Sequence, residues 1–304
     1  MALLLNILVN DILPVFLVAG VGFALARFSK ADVRTLSRVT FNAFAPCLVF
    51  SLLVTSNVDA ADLGRMALFA ASVIAALGVV GRLAAIPLRL GRQALAAFLL
   101  VVMFANNGNF GLSAILFAFG REALTHASIY FVTGAVLVYT VGVFVASTGH
   151  RSATHALGGV LRVPAVYGAL LGALVMATGI SVPAFVMRPV SLLADAAIPV
   201  MLLVLGMQLE RGRWPARPAA VGTAVVLILV ACPIIGTAIA ALIGLEGSAR
   251  QAAIAQTAMP AAVLNTILAV EYDVEPAFVT AVVFVSTLVS PLTVTAVFAL
   301  LGAR

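Results

Sequence analysis

The sequence predicts an all-α membrane protein of ten transmembrane helices, arranged as two inverted five-helix repeats. Three observations carry that prediction. Hydrophobic residues make up 63% of the chain and charged residues 9%, with a mean hydropathy of +1.21, where soluble domains run near about 45–50% and about 25%. Ten long apolar runs alternate with short charged or Gly/Pro-containing breaks. Short motifs recur in the same order in the two halves at a nearly constant offset. This pattern excludes a soluble enzyme, a nucleic-acid binder and a disulfide-framed secreted domain. The pI near 10.1 does not reverse the reading, because the arginines lie between apolar spans and form no basic face.

In chain order the predicted spans are 7–27, 36–56, 63–84, 94–119, 126–147, 160–180, 187–209, 218–243, 250–271 and 277–301. Each approximates the roughly 20 residues that cross a bilayer as a helix. The period-two alternation of barrel strands is absent. At the amino terminus, leading into the first span, Met1 to Asn10 lacks the basic region of a signal peptide and is followed by Asp11. That span is therefore expected to be retained, although Ala24-Leu25-Ala26 mimics a cleavage motif. Cys47 and Cys232 fall inside the second and eighth spans without metal or redox spacing, and read as small core residues. No metal or other cofactor is expected.

Charge then orients the chain. With the amino terminus outside, the inner connections hold Arg27, Lys30, Arg34, Arg38, Arg82, Arg89, Arg92, Arg151, Arg162, Arg211, Arg213 and Arg217. Only Arg65, Arg121, Arg188, Arg250 and Arg304 fall outside. Twelve of the seventeen basic residues are thus internal, the bias that sets topology in membrane proteins. Both termini are expected outside.

The halves match residue by residue. Leu13-Pro14-Val15 faces Val163-Pro164-Ala165 at an offset of 150, which also carries Gly22 onto Gly172. Asn42-Ala43-Phe44-Ala45-Pro46 resembles Asp195-Ala196-Ala197-Ile198-Pro199 at 153, and Leu52 and Leu205 keep that offset. Ile115-Leu116 matches Ile267-Leu268 at 152. Five spans per repeat is an odd number, so the second half must enter the membrane upside down, as in secondary transporters. The first repeat is 1–147, the second 160–304. A polar cytoplasmic linker, 148–159, joins them, and its His150 and His155 read as solvated.

The fourth and ninth spans are interrupted at corresponding places. Asn106-Asn107-Gly108-Asn109-Phe110-Gly111 puts three asparagines and two glycines into six residues, all poor helix formers. In the ninth span Pro260 removes a backbone donor, with Gln256, Thr257 and Asn265 near enough in sequence to bond what is freed. Backbone leaves the helix at membrane depth only inside protein or beside a watery cavity. Paired interruptions point to a binding site. The second half-helices, starting near Gly108–Gly111 and Pro260–Leu264, would aim free N–H groups and positive dipole ends at a central cavity, which favours anions. Asn106, Asn107, Gly108, Asn109, Gly111, Gln256, Pro260 and Asn265 are the candidate substrate-binding residues. A plainer reading leaves the asparagines only satisfying the broken backbone.

A second set lies in the repeat-related spans two and seven. Asp195 is a carboxylate within an apolar run, with three uses open to it: carrying a proton, binding a cation, or pairing with Arg188 seven residues earlier. Its repeat mate is the neutral Asn42. Pro46 and Pro199 are candidate kinks. Gly20, Gly22, Gly168 and Gly172 read as close helix packing that also permits a homodimer.

With these residues in view the chain resembles the auxin efflux carrier family, which includes plant auxin carriers and bacterial dicarboxylate transporters. The match rests on Asn42-Ala-Phe-Ala-Pro46, Asn106-Asn-Gly-Asn-Phe-Gly111, Ile198-Pro-Val-Met-Leu-Leu-Val-Leu-Gly206, and Met259-Pro260 with Asn265. The resemblance implies that spans four and nine cross at their unwound centres, an architecture shared with sodium/proton antiporters and bile-acid symporters. It implies a panel of spans 1, 2, 6 and 7 working against a substrate-carrying bundle of 3–5 and 8–10, and organic anions as substrates. The plant carriers' long central loop is missing. That points to a bacterial inner membrane and to a small mono- or dicarboxylate such as malonate or malate.

The leading expectation is a secondary carrier of such anions, working by elevator-like alternating access. The alternative is a sodium- or proton-coupled symporter or antiporter with Asp195 as its key residue. An intramembrane enzyme is disfavoured because His126, His150 and His155 lie at helix ends or in loops, and ATP-driven transport by this chain alone is disfavoured because it has no Gly-rich loop ending in Gly-Lys-Ser/Thr. The expected partners are an organic anion, a coupling proton or sodium, and lipid; nucleic acid is not among them.

Overall fold

The computed structural model describes residues 2–55, 60–148, 163–210, 212 and 217–303. Among these, every regular element is helical: α1 Ala2–Phe28, α2 Val33–Thr55, α3 Ala60–Ala84, α4 Arg92–Met103, α5 Asn107–Ser147, α6 Pro164–Thr178, α7 Ala184–Leu209, α8 Pro218–Ile243, α9 Gly247–Thr257, α10 Leu264–Glu271 and α11 Pro276–Leu300. Seven of them (α1, α2, α3, α5, α7, α8 and α11) are long and apolar enough to cross a bilayer, and α4 and α6 are shorter apolar helices.

The difference from ten predicted spans has a local cause. Spans 94–119 and 250–271 each fall into two pieces, α4 with the start of α5, and α9 with α10. Span 126–147 is divided from the first half of α5 at Gly120, whose non-helical φ of 78° and ψ of −168° are open to glycine, so that α5 comprises two helices joined at that residue. Most of the predicted linker, with His150, Arg151 and His155, lies outside the described residues.

Several helix ends are fixed by local capping residues. Asp32 caps α2 by accepting from the Thr35 hydroxyl at 2.6 Å and from the Arg34 and Thr35 N–H groups at 3.2 and 3.1 Å. Those bonds, the Thr35 hydroxyl foremost, hold its carboxyl below the ordinary value. Gly179 and Gly244 close α6 and α8 in the left-handed conformation. Pro46 follows a π-helical turn, Thr40–Phe44, whereas α7 stays continuous through Pro189 and Pro199.

The helices form two groups. In one, a panel, α1 packs on α7, α2 on α6, and α2 on α7. Glycine makes the close approach possible. A Cβ at Gly22 would overlap the Leu203 carbonyl, one at Gly206 the Ala19 carbonyl, and one at Gly168 the Pro46 carbonyl. The other group is a bundle in which α5 packs on α3 and α9, α8 on α3 and α9, and α11 on α4, α8 and α10. One apolar core runs through both groups, with Phe69, Phe98, Phe110 and Phe298 fully buried. The groups meet where α7 and α2 touch the first part of α5, and where α1 touches α5 and α11. At that seam the Phe16 and Phe110 rings meet edge-on, 5.8 Å between centroids. Large apolar side chains such as Leu17, Leu170, Leu192, Leu242 and Leu300 stand exposed on the exterior, as a multi-pass membrane protein requires.

Candidate functional site

The two interruptions meet. After Met103 the chain extends, with Phe104 at φ −120° and ψ 102°. Asn106 then turns it, its φ of −79° and ψ of 64° being an inverse γ-turn closed by Asn107 N–H donating to the Ala105 carbonyl at 2.9 Å. On the other side Met259–Val263 separates α9 from α10. The two short stretches lie antiparallel, with a lone β-bridge between Ala105 and Ala261. Asn106 N–H donates to the Pro260 carbonyl at 2.6 Å, and Ala262 N–H to the Phe104 carbonyl at 3.0 Å. Backbone that has left the helix inside the protein is thereby paired.

Side chains from both halves then tie the crossing. Asn107 Nδ2 donates to the Gln256 carbonyl and to Gln256 Oε1, both at 2.8 Å. Gln256 Nε2 donates back to the Asn107 carbonyl at 3.2 Å and to the Ala127 carbonyl at 3.1 Å. Asn265 Nδ2 donates to the Phe104 carbonyl at 2.8 Å, and the Ser286 hydroxyl accepts from Ala261 N–H at 3.1 Å. A Cβ at Gly111 would overlap Gln256 Oε1, and one at Gly108 would meet the Phe131 ring. Glycine therefore serves here for close approach as well as for the loose turn Asn107–Leu112, which is π-helical.

What is left unpaired is as informative. Asn106 Nδ2, Asn109 Oδ1 and Asn265 Oδ1 are buried without a hydrogen-bond partner, and such groups are rare unless a ligand or water meets them. α5 starts at Asn107 and α10 at Leu264, and the first N–H groups of a helix have no preceding turn to accept from them. Free donors at two converging helix starts suit an anion. No lysine or arginine lies within 104–111 or 256–265.

All eight substrate-binding candidates thus fall on one crossover: Asn106, Asn107, Gly108, Asn109, Gly111, Gln256, Pro260 and Asn265. The second set does not join them. Asn42 is exposed and donates to the Arg38 carbonyl at 2.7 Å, across the π-helical turn before Pro46. Asp195 is 73% exposed at its side chain and pairs with Arg121 at 3.8 Å, not with Arg188. Pro199 is exposed on α7. Sequence reasoning missed Phe104, Ala261 and Ala262, which act through backbone alone and leave no side-chain signature. It also missed Ser286, whose signal was a row of buried hydroxyls, Ser286, Thr287 and Ser290, in an apolar helix.

Known proteins share this sequence pattern. The profile of a family described as membrane transport protein matches residues 7–156 and 148–298. An uncharacterized transporter of Methanothermobacter thermautotrophicus is 24% identical over 288 residues, covering 92% of this chain and 94% of that protein. An uncharacterized transporter of Methanocaldococcus jannaschii is 21% identical over 217 residues, 68% of each. Auxin efflux carrier component 3a of Oryza sativa subsp. japonica is 31% identical over 140 residues, which is 44% of this chain and 23% of the plant protein.

Proposed function

The chain belongs to the membrane transport protein family, that of the auxin efflux carriers, and on that premise we propose that it is a secondary transporter of small organic anions. The crossover is its substrate site. The observation that carries this reading is the buried, unpartnered donor Asn106 Nδ2 beside two helix starts, whose first N–H groups have no preceding turn to bond. The unpartnered Oδ1 atoms of Asn109 and Asn265 are acceptors and leave room for a water or a substrate hydroxyl. A carboxylate lying between those starts would accept from them and from an asparagine Nδ2. With no arginine or lysine to clamp it, the anion is held by dipoles and amides, which favours release on either side. A mono- or dicarboxylate of a few carbons is the substrate class.

Transport proceeds by elevator-like alternating access. The bundle of α3–α5 and α8–α11 carries the crossover past the panel of α1, α2, α6 and α7. The reading of ten membrane crossings in two inverted repeats, 1–147 and 160–304, draws support from the reciprocity of the panel. α1 packs on α7 while α2 packs on α6, the exchange that a two-fold relation between halves would produce. Gly22 lies against Leu203 and its repeat mate Gly172 against Leu53, within one turn of the matching position. The bias of basic residues to one side supports termini outside an inner membrane.

The test is uptake of labelled malonate, malate and indole-acetate into proteoliposomes, with Asn109→Ala beside the wild type. Saturable uptake and counterflow of one anion, lost in the variant, is the expected result. Absence of any carboxylate flux from folded protein overturns the reading.

A further inference from the structure

An acidic residue that the crossover does not use is buried in α1. Asp11 stands about 14 Å along the helix from its first residue, at about 1.5 Å per residue, within a 27-residue apolar helix. It is 6% exposed, and its Oδ2 has no hydrogen-bond partner. The turn that holds it, Leu8–Ile12, is π-helical, an irregularity that recurs at functional sites. That turn packs against Ser113–Leu137 of α5 and against α11, so Asp11 sits on the seam between panel and bundle. Farther along the same helix, Phe16 meets Phe110 of the crossover's own turn.

The carboxyl has no counter-ion among the described residues. Its own helix carries Arg27, which is engaged with Glu210 at 3.4 Å. The facing stretch of α5 carries Arg121, Glu122 and His126. Arg121 pairs with Asp195, Glu122 accepts from the Ser248 hydroxyl at 2.7 Å, and the charges bearing on His126 are those of Asp62 and Glu122. α11 has no ionisable residue at all. It does carry a buried hydroxyl without a partner, Thr295 Oγ1. A metal cation would need several convergent oxygens, and no group of three His, Cys, Asp or Glu forms among the described residues. A single proton needs no further ligand to discharge the group.

We propose that Asp11 is a proton-binding site on the panel–bundle seam, distinct from the crossover, whose loading is coupled to passage of the anion. One proton from water bonds to the carboxylate oxygen on one side of the membrane and leaves to water on the other. The bundle slides past α1 only while the group is neutral, because a bare charge in that apolar seam is costly. The inference rests on the transport reading above and adds its driving ion.

The experiment uses the full chain in proteoliposomes, comparing wild type with Asp11→Asn and Asp11→Glu. Accumulation of malonate is driven by an imposed proton gradient, and malonate counterflow is measured at equal pH on both sides. In Asp11→Asn, gradient-driven accumulation is expected to fall about fivefold or more while counterflow stays within about twofold, the scale of a coupling between linked sites. Wild-type accumulation indifferent to the proton gradient, or driven instead by sodium, overturns the proposal, as does full accumulation by Asp11→Asn. Infrared spectroscopy gives a readout free of transport. The carbonyl band of a protonated carboxylic acid should be present in wild type, shifted in Asp11→Glu and missing in Asp11→Asn. Its absence from wild type overturns the proposal even if a variant loses its fold. Failure of wild type to exchange any carboxylate, with that band present, counts against the anion reading alone.

Discussion

The panel and the crossover are both places where helices approach unusually closely, yet they handle polar groups in opposite ways. In the panel, Gly22, Gly168 and Gly206 let helix backbones touch, and at those three contacts no side-chain polar group is involved. At the crossover, Gly108 and Gly111 admit the Phe131 ring and the Gln256 amide, and three asparagine amides are left with unused atoms. A scaffold gains by leaving nothing unsatisfied; a binding site must keep something unsatisfied for its ligand. The same residue type thus serves helix-to-helix contact in one region and, on the proposed reading, recognition in the other.

The largest test of this contrast lies in the panel. Gly206→Ala would drive a methyl group into the Ala19 carbonyl and force α1 away from α7. The expected cost is about 3 kcal/mol, the upper range for overpacking. A thiol-reactive dye reporting on exposure of the buried Cys232 during heating would read it. Protein that survives should bind substrate with unchanged affinity; a changed affinity would mean the panel shares the site. Gln256→Ala comes next. It removes three hydrogen bonds, from Asn107 Nδ2 and to the Asn107 and Ala127 carbonyls, at about 1 kcal/mol each. Both melting temperature and uptake should fall, because this side chain sets the geometry of the crossing. Asn109→Ala separates the two roles. Its Oδ1 has no protein partner, so thermal stability should hold while uptake falls about tenfold, equivalent to about 1.4 kcal/mol of binding. A drop in stability to match Gln256→Ala would make Asn109 a structural amide.

The crossover was unusually legible in the sequence, and the reason is physical. Asn106 to Gly111 and Pro260 are residues a membrane helix tolerates only where it ends, so composition alone located both interruptions. Their mutual contact was another matter. It is made by the backbones of Phe104, Asn106, Pro260 and Ala262, which any residue could supply, and came from family resemblance. Between the fourth and fifth spans a break was legible too: Gly120, at a non-helical φ of 78° and ψ of −168°, separates two helices within 107–147. Asp11 was visible as a letter and silent as a site. Its meaning depends on which helices cover it, and periodicity does not say that.

The smallest effect concerns the other membrane carboxylate, and it tests whether burial or mere presence in an apolar run marks a functional acid. Asp195 drew attention because a charge in a hydrophobic stretch is costly. In the fold that charge has a counter-ion outside the core: Asp195 lies on the exterior of α7, 3.8 Å from the Arg121 guanidinium. Such a pair contributes about 0.5 kcal/mol or less. Because Arg121 belongs to α5 and Asp195 to α7, the pair bridges bundle and panel and has to part if one moves past the other. Asp195→Asn should therefore leave stability within about 0.5 kcal/mol and change uptake less than about threefold, the change shrinking further at high salt as exposed charges are screened. A loss of gradient-driven accumulation as large as in Asp11→Asn would break the distinction and return coupling to α7.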